Sequence, residues 1–269
     1  MTMSIQGKTA IVTGAARGIG LAIARHFAEA GANVMFADCD EAALESELGE
    51  EARGDGPLRY FGGDLGQKLT LANLVSATID SFDRVDILVN AHRVVQGSDP
   101  LSVSEEELAE MLRQNMSSGL RLSQLVARRM MTQAEKTESP ALQNGAIVNV
   151  TSLAADWPKP HMLAYSIASA AQAQATRSLA SALAPNRIRV NGVAFASIMS
   201  SHLQMKLREE PALRERMIAA TPLGRIGGAD ELSETVLFLA SEASSFVTGQ
   251  ILRVDGGRSL GDPLAPDVF

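Results

Sequence analysis

Tyr165 stands in the stretch "LAYSIASAA" as one of only two tyrosines in the chain, with Ser169 one helical turn further on. A phenol on a helix either fills a gap in a core or holds a proton for a reaction, and its surroundings decide which. Far upstream, "TGAARGIG" (Thr13 to Gly20) leads from an apolar run into a helical pattern. Gly14 permits a tight turn. Gly18 and Gly20 let the backbone approach a ligand or let helix and strand pack closely, with Arg17 and Ile19 completing the loop. A helix opening there offers free N–H groups and the positive end of its dipole to a diphosphate. Asp38 follows about twenty residues past the glycines, where a carboxylate can accept bonds from both ribose hydroxyls of an adenosine and repel a 2′-phosphate. That favours NAD over NADP, and the neighbouring Asp40 and Glu41 deepen the negative field; a helix cap is the other reading of Asp38. Asp64, followed by Leu65, ends a predicted strand, where its side chain either bonds an adenine amino group or caps the loop.

The elements that would position these residues are legible as an alternation. "TAIVTGA", "NVMFAD", "LRYFGGDL", "VDILVNA", "GAIVNVTS", "RIRVNGVA" and "ILRVDGG" are nearly continuous apolar runs, as expected for strands buried on both faces. Amphipathic segments lie between them. In "GIGLAIARHFAEAGA", Ile19, Ile23 and Phe27 share one helical face and Gly31 marks the stop; the segments from Glu41, Lys68, Ser104 and Asp230 behave similarly. This predicts an α/β fold: a single Rossmann-type, doubly wound domain over residues 1–269, with a mostly parallel sheet of about seven strands flanked by helices. "QAEKTESPALQN" (Gln133 to Asn144) is expected to be a polar surface loop. The stretch Ser197 to Pro222 reads as a helical insertion, either a substrate lid or an ordinary surface helix pair.

Composition narrows the function. A net charge of −7 argues against nucleic acid as a partner, and no apolar run approaches the length of a membrane span. Cys39 is the only cysteine, so no intramolecular disulfide can form, and it reads as a structural thiol. His161 and Lys159 show no metal-ligand spacing, so no metal is predicted. These features fit a cytoplasmic protein acting on a small-molecule substrate.

Taken together, these residues resemble the short-chain dehydrogenase/reductase family over essentially the whole chain. "TGAARGIG" matches its TGxxxGxG cofactor loop, Asp64-Leu65 its adenine contact, and Asn115 in "RQNMSSG" the Asn of its long central helix. Ser152 and Tyr165, thirteen residues apart, match its Ser…Tyr pair, and the stretch ending in "ILRVDGG" resembles its C-terminal region. The resemblance implies hydride transfer between nicotinamide C4 and a carbinol or carbonyl carbon. In it Tyr165 exchanges the proton, Ser152 holds the substrate oxygen and Asn115 holds a water in a proton relay. It also implies a homo-oligomer, a tetramer or dimer, with the Asn115 and Tyr165 helices at the dimer interface.

Three departures cluster at the nicotinamide half. The family pattern YxxxK reads here Tyr165-Ser166-Ile167-Ala168-Ser169, without the lysine that would bond the nicotinamide ribose and lower the tyrosine pKa. A lysine about 4 Å from a phenolate, at an effective dielectric of about 20, is worth roughly 4 kcal/mol, or about three pKa units. Without it, proton abstraction from an alcohol should slow by roughly 10²–10³. Ser169 can still bond a ribose hydroxyl. The family's NNAG turn is replaced by Asn90-Ala91-His92-Arg93, of which Asn90 and Ala91 are expected to lie against the cofactor. The family's PG pair becomes Phe195-Ala196, which would crowd the nicotinamide or stack on what enters. Two readings follow: an NAD(H)-dependent oxidoreductase whose missing charge comes from Arg93 or His92, or a catalytically weak or inactive nucleotide-binding protein. A scaffold that binds no nucleotide is a third, against which the intact glycine loop counts.

Overall fold

Seven parallel strands lie in the order β3-β2-β1-β4-β5-β6-β7. The chain, in a computed structural model, is described over residues 2–136 and 143–260. The strands are β1 (Thr9–Thr13), β2 (Asn33–Asp38), β3 (Leu58–Gly62), β4 (Ile87–Asn90), β5 (Gly145–Ser152), β6 (Ile188–Phe195) and β7 (Ile251–Val254). All seven expected runs form strands, and the sheet is wholly parallel. Alternate residues of each strand face opposite helical layers. Ala10, Val12, Phe36 and Val148 pack under helices α1 (Gly18–Glu29), α2 (Glu41–Leu48) and α9 (Ala229–Ala240), whose contributions include Ile23, Phe27, Leu44 and Val236. Ile11, Met35, Leu88 and Ile147 face α3 (Lys68–Phe82), α5 (Ser118–Glu135) and α6 (Leu163–Leu183) through Leu74, Leu122, Val126 and Ala180. This is one doubly wound α/β domain.

The strand order makes a crevice. After β3 the chain crosses back so that β4 pairs with β1, which makes the C-terminal ends of these two strands the switch point at which ligands bind in open α/β sheets. The turn after β1 needs glycine. Gly14 has φ 69°, and a Cβ there would come within 2.8 Å of the His92 backbone, so the turns after β1 and β4 touch.

One helical segment differs from expectation. α5 continues through Glu135, so Gln133–Glu135 are helix and not loop; residues 137–142 lie outside the described residues. Gln133 is half-buried, and its amide accepts from Val85 N and donates to Val85 O, both at 2.9 Å. The stretch 197–222 holds α7 (Ser201–Glu209) and α8 (Pro211–Ala219), as its pattern suggested. No described helix is long and apolar enough to cross a membrane.

Candidate active site

The nucleotide end is assembled from β1, α1 and β2. Arg17 precedes α1 in extended conformation and no side chain caps that terminus, so the first helical N–H groups are left for a ligand. Gly20 must be glycine because a Cβ would meet Gly14 O at 2.1 Å, whereas Gly18 has φ 61° and faces open space. Ile19 is buried under the loop. Asp38 Oδ2 accepts from Ala16 N at 3.1 Å, and Oδ1 accepts from Asp40 N at 3.1 Å. The cap of α2 is Asp40, whose side chain accepts from Ala43 N at 3.0 Å, so Asp38 does not serve as the helix cap. Arg17 is paired with Asp40. Asp64 accepts from Gly66 N at 2.8 Å and stands 3.7 Å from Arg113, which gives it a loop-capping role. Leu65 beside it is buried. This loop, with one glycine face open, an uncapped helix start and a carboxylate at the end of β2, fits a dinucleotide.

The turn after β4 is held more firmly than its sequence suggests. Asn90 points its amide at Asn149 Oδ1 (2.8 Å) and Ser123 Oγ (3.0 Å), into the layer beneath. Ala91 N donates to Thr13 Oγ1 at 3.0 Å. His92 Nδ1 lies 2.7 Å from Thr13 Oγ1 and Nε2 lies 2.7 Å from Ser118 Oγ. Ser118 donates its proton to Gln114 O at 2.6 Å, so the consistent assignment puts the His92 proton on Nε2. Burial holds the imidazole at about 4, against the opposing pull of Asp38 and Asp64. His92 is therefore neutral near pH 7 and does not supply the missing positive charge, which removes one of the two candidates for that role.

Asn115 sits in a π-turn (Arg113–Ser117) between α4 (Glu105–Leu112) and α5. Its Oδ1 accepts from Val94 N at 2.7 Å and its Nδ2 donates to Val94 O at 2.8 Å. The helix thus grips the chain on both sides of Arg93, at His92 through Ser118 and at Val94 through Asn115. Between these anchors the Arg93 guanidinium lies 4.3 Å over the Phe195 ring. Phe195, only 8% exposed, pairs in register with Ser152. Arg93 is accordingly stacked at the C-terminal edge of the sheet beside the end of β5. Two of the three departures seen in the sequence form one contact.

Ser152 Oγ accepts from Ala154 N at 3.1 Å, which leaves its proton free for a substrate oxygen. Tyr165, 5% exposed, packs with Met111, Ala154, Ala164 and Ala168 between α4 and the turn after β5. Ser169 Oγ donates to Tyr165 O at 2.8 Å, the back-bond of a helix-interior serine, so only its lone pairs remain for a partner.

Comparison with known proteins settles the family. Residues 14–259 match the family described as "Enoyl-(Acyl carrier protein) reductase". The chain belongs to the short-chain dehydrogenase/reductase family. It is 32% identical to the 3-oxoacyl-[acyl-carrier-protein] reductase FabG of Thermotoga maritima over 95% of this chain and 99% of that protein. It is 34% identical to the 7alpha-hydroxysteroid dehydrogenase of Escherichia coli over 95% of both. A solved 7 alpha-hydroxysteroid dehydrogenase complexed with NADH and 7-oxo glycochenodeoxycholic acid superposes with a TM-score of 0.85, covering 95% of each chain at 32% identity. The crystal structure of gox2181 gives the same TM-score at 32% identity, covering 96% of this chain and 98% of that one. Membership makes this chain an oxidoreductase of short-chain dehydrogenase/reductase type.

One prediction concerns the neutral imidazole. With His92 held at about 4 when folded and near 6.5 when unfolded, the unfolded chain binds more protons between these values, so stability falls as pH drops through that window. From pH 7.5 to pH 5 this group removes about 2 kcal/mol. Urea unfolding of His92→Gln should show a pH slope smaller by that amount; equal slopes in variant and wild type would count against the buried neutral state.

Proposed function

We propose that this protein is an NAD(H)-dependent oxidoreductase that interconverts a carbonyl and an alcohol, using Tyr165 and Ser152 with Arg93 in place of the family's lysine. The observation that carries this reading is the Arg93 guanidinium fixed over Phe195, beside the strand end that carries Ser152. Bound NAD would be held by the Gly14–Gly20 loop at its diphosphate, by Asp38 at its adenosine ribose and by Asp64 and Leu65 near the adenine, with Ala91 and the Asn90 backbone lining the crevice. It supplies the hydride acceptor or donor. Ser152 donates its hydroxyl proton to the substrate oxygen, and Tyr165 gives or takes the proton there. Arg93, charged at any working pH, stabilises the phenolate electrostatically. Ser169 accepts from a ribose hydroxyl. Asn115 acts as a positioning residue for Arg93 by clamping Val94.

The preference for NAD rests on Asp38, backed by Asp40 and Glu41 across the rim. Asp38→Asn keeps an acceptor for Ala16 N yet loses the charge. NAD affinity should fall about tenfold, the worth of one charged hydrogen bond, and the discrimination against NADP should narrow. Calorimetry with both nucleotides measures this, and equal affinity of the wild type for NAD and NADP contradicts it. The reading itself is tested by NADH consumption over a panel of ketones.

A second reading, nucleotide binding without turnover, is favoured by the same stack, because a guanidinium lying on Phe195 fills room at the sheet edge. It predicts NAD binding with no hydride transfer to any carbonyl, so observed turnover ends it. In either case the small-residue face of α6, with Ile167 40% exposed, is proposed to meet a second copy in a dimer or tetramer.

A further inference from the structure

Both N–H donors of the Asn115 side chain have acceptors. Nδ2 donates to Val94 O at 2.8 Å and to Met111 Sδ at 2.8 Å, while Oδ1 accepts from Val94 N at 2.7 Å. The two bonds to Val94 decide which way the amide faces. The thioether, reached from a different direction, fixes the tilt of its plane. Val94 follows Arg93 directly, so that tilt passes to the residue whose guanidinium is stacked on Phe195. Met111 is buried in the last turn of α4, one turn before Asn115. The same side chain packs with Tyr165, Ala164 and Ala168 of α6 and with Ala154 after β5. It therefore touches the phenol directly and reaches the guanidinium through Asn115 and Val94.

A buried methionine is usually a space-filler, because its unbranched chain adapts to irregular gaps. Leucine would fill nearly the same space here. It would also strip an acceptor from one Asn115 N–H in a buried setting, and a buried donor left unmet is costly. Met111 and Val94 both line a cavity of about 270 Å³, with Gln96 and Gln114, so a longer polar side chain has room at position 111.

We propose that Met111 is a positioning residue for the reaction: its thioether locks the Asn115 amide that holds the Arg93 turn, and its flank backs the Tyr165 ring. The proposal rests on the oxidoreductase reading above, but the lock itself can be read without turnover.

Met111→Leu keeps the apolar volume and removes the acceptor. Met111→Gln keeps the length and returns an acceptor through Oε1. A space-filling role predicts that Leu serves at least as well as Gln. The positioning role predicts the reverse order: kcat for ketone reduction about fivefold lower in Met111→Leu, with KM for NADH unchanged, and closer to wild type in Met111→Gln. Hydrogen exchange resolved at the Val94 amide reads the lock directly, because that N–H is the donor to Asn115 Oδ1. It should exchange about fivefold faster in Met111→Leu and near the wild-type rate in Met111→Gln. NAD calorimetry reports whether each variant is folded; if Met111→Gln is not, the exchange rate and kcat of Met111→Leu decide alone. Unchanged Val94 exchange in Met111→Leu, or a folded Met111→Gln slower than Met111→Leu, overturns the proposal. Faster exchange in Met111→Leu with no NADH consumption by the wild type retains the lock and rejects the oxidoreductase reading; consumption with unchanged exchange does the reverse.

Discussion

Tyr165→Phe is expected to lower NADH-dependent ketone reduction by about 10³-fold, within the range that a positioned general acid contributes. The ring is buried against Met111, Ala154 and Ala168, so loss of one oxygen leaves the packing and the fold unchanged. Nucleotide affinity should be retained, which separates a chemical role from a structural one. If the ring served only as packing, the Phe variant would match the wild type in rate. Initial-rate kinetics and NAD calorimetry on the same preparation decide between these outcomes.

Arg93→Ala is expected to slow alcohol oxidation by roughly 10²-fold. A cation near a developing phenolate charge, at an effective dielectric of about 20, is worth about 2–3 kcal/mol to the proton transfer. Oxidation passes through the phenolate, so kcat for alcohol oxidation should fall while NAD affinity is kept. Loss of the Phe195 stack, worth about 0.5–2 kcal/mol, lowers stability but does not by itself slow the folded enzyme. Ser169→Lys, which restores the family's lysine one turn after Tyr165, should recover most of the lost rate in the Arg93→Ala background. An unchanged rate of alcohol oxidation in Arg93→Ala would exclude Arg93 as the substitute cation.

Much of the frame was legible because its signals are local. Strands buried on both faces read as apolar runs, and Ile19, Ile23 and Phe27 recur with the helical period, so β1, α1 and β2 could be placed around the glycine loop from sequence alone. Asp38 was readable for the same reason, since its place follows from the length of one βαβ unit. The contacts that give the crevice its character are not local. Nothing in "NAHR" announces that His92 bridges Thr13 and Ser118, or that burial keeps it neutral. Arg93 and Phe195 are far apart in the chain, and each alone reads as a loss of the family pattern; only the fold shows that they touch. Asn115 carries the family's residue type, yet here both polar atoms of its side chain hold the Val94 backbone. Gln133 misled because its polarity marks solvent in a composition reading, while its amide in fact completes the backbone of Val85.

The central claim is that hydride moves between a nicotinamide and a carbon held at Ser152 and Tyr165. The most direct measurement is mass spectrometry of the alcohol formed from a ketone and NADH carrying two deuteriums at C4, with wild type and Tyr165→Phe side by side. The account predicts one deuterium on the carbinol carbon in the wild-type product and almost none with the variant. NADH bound at saturation with no deuterium in any product would contradict it.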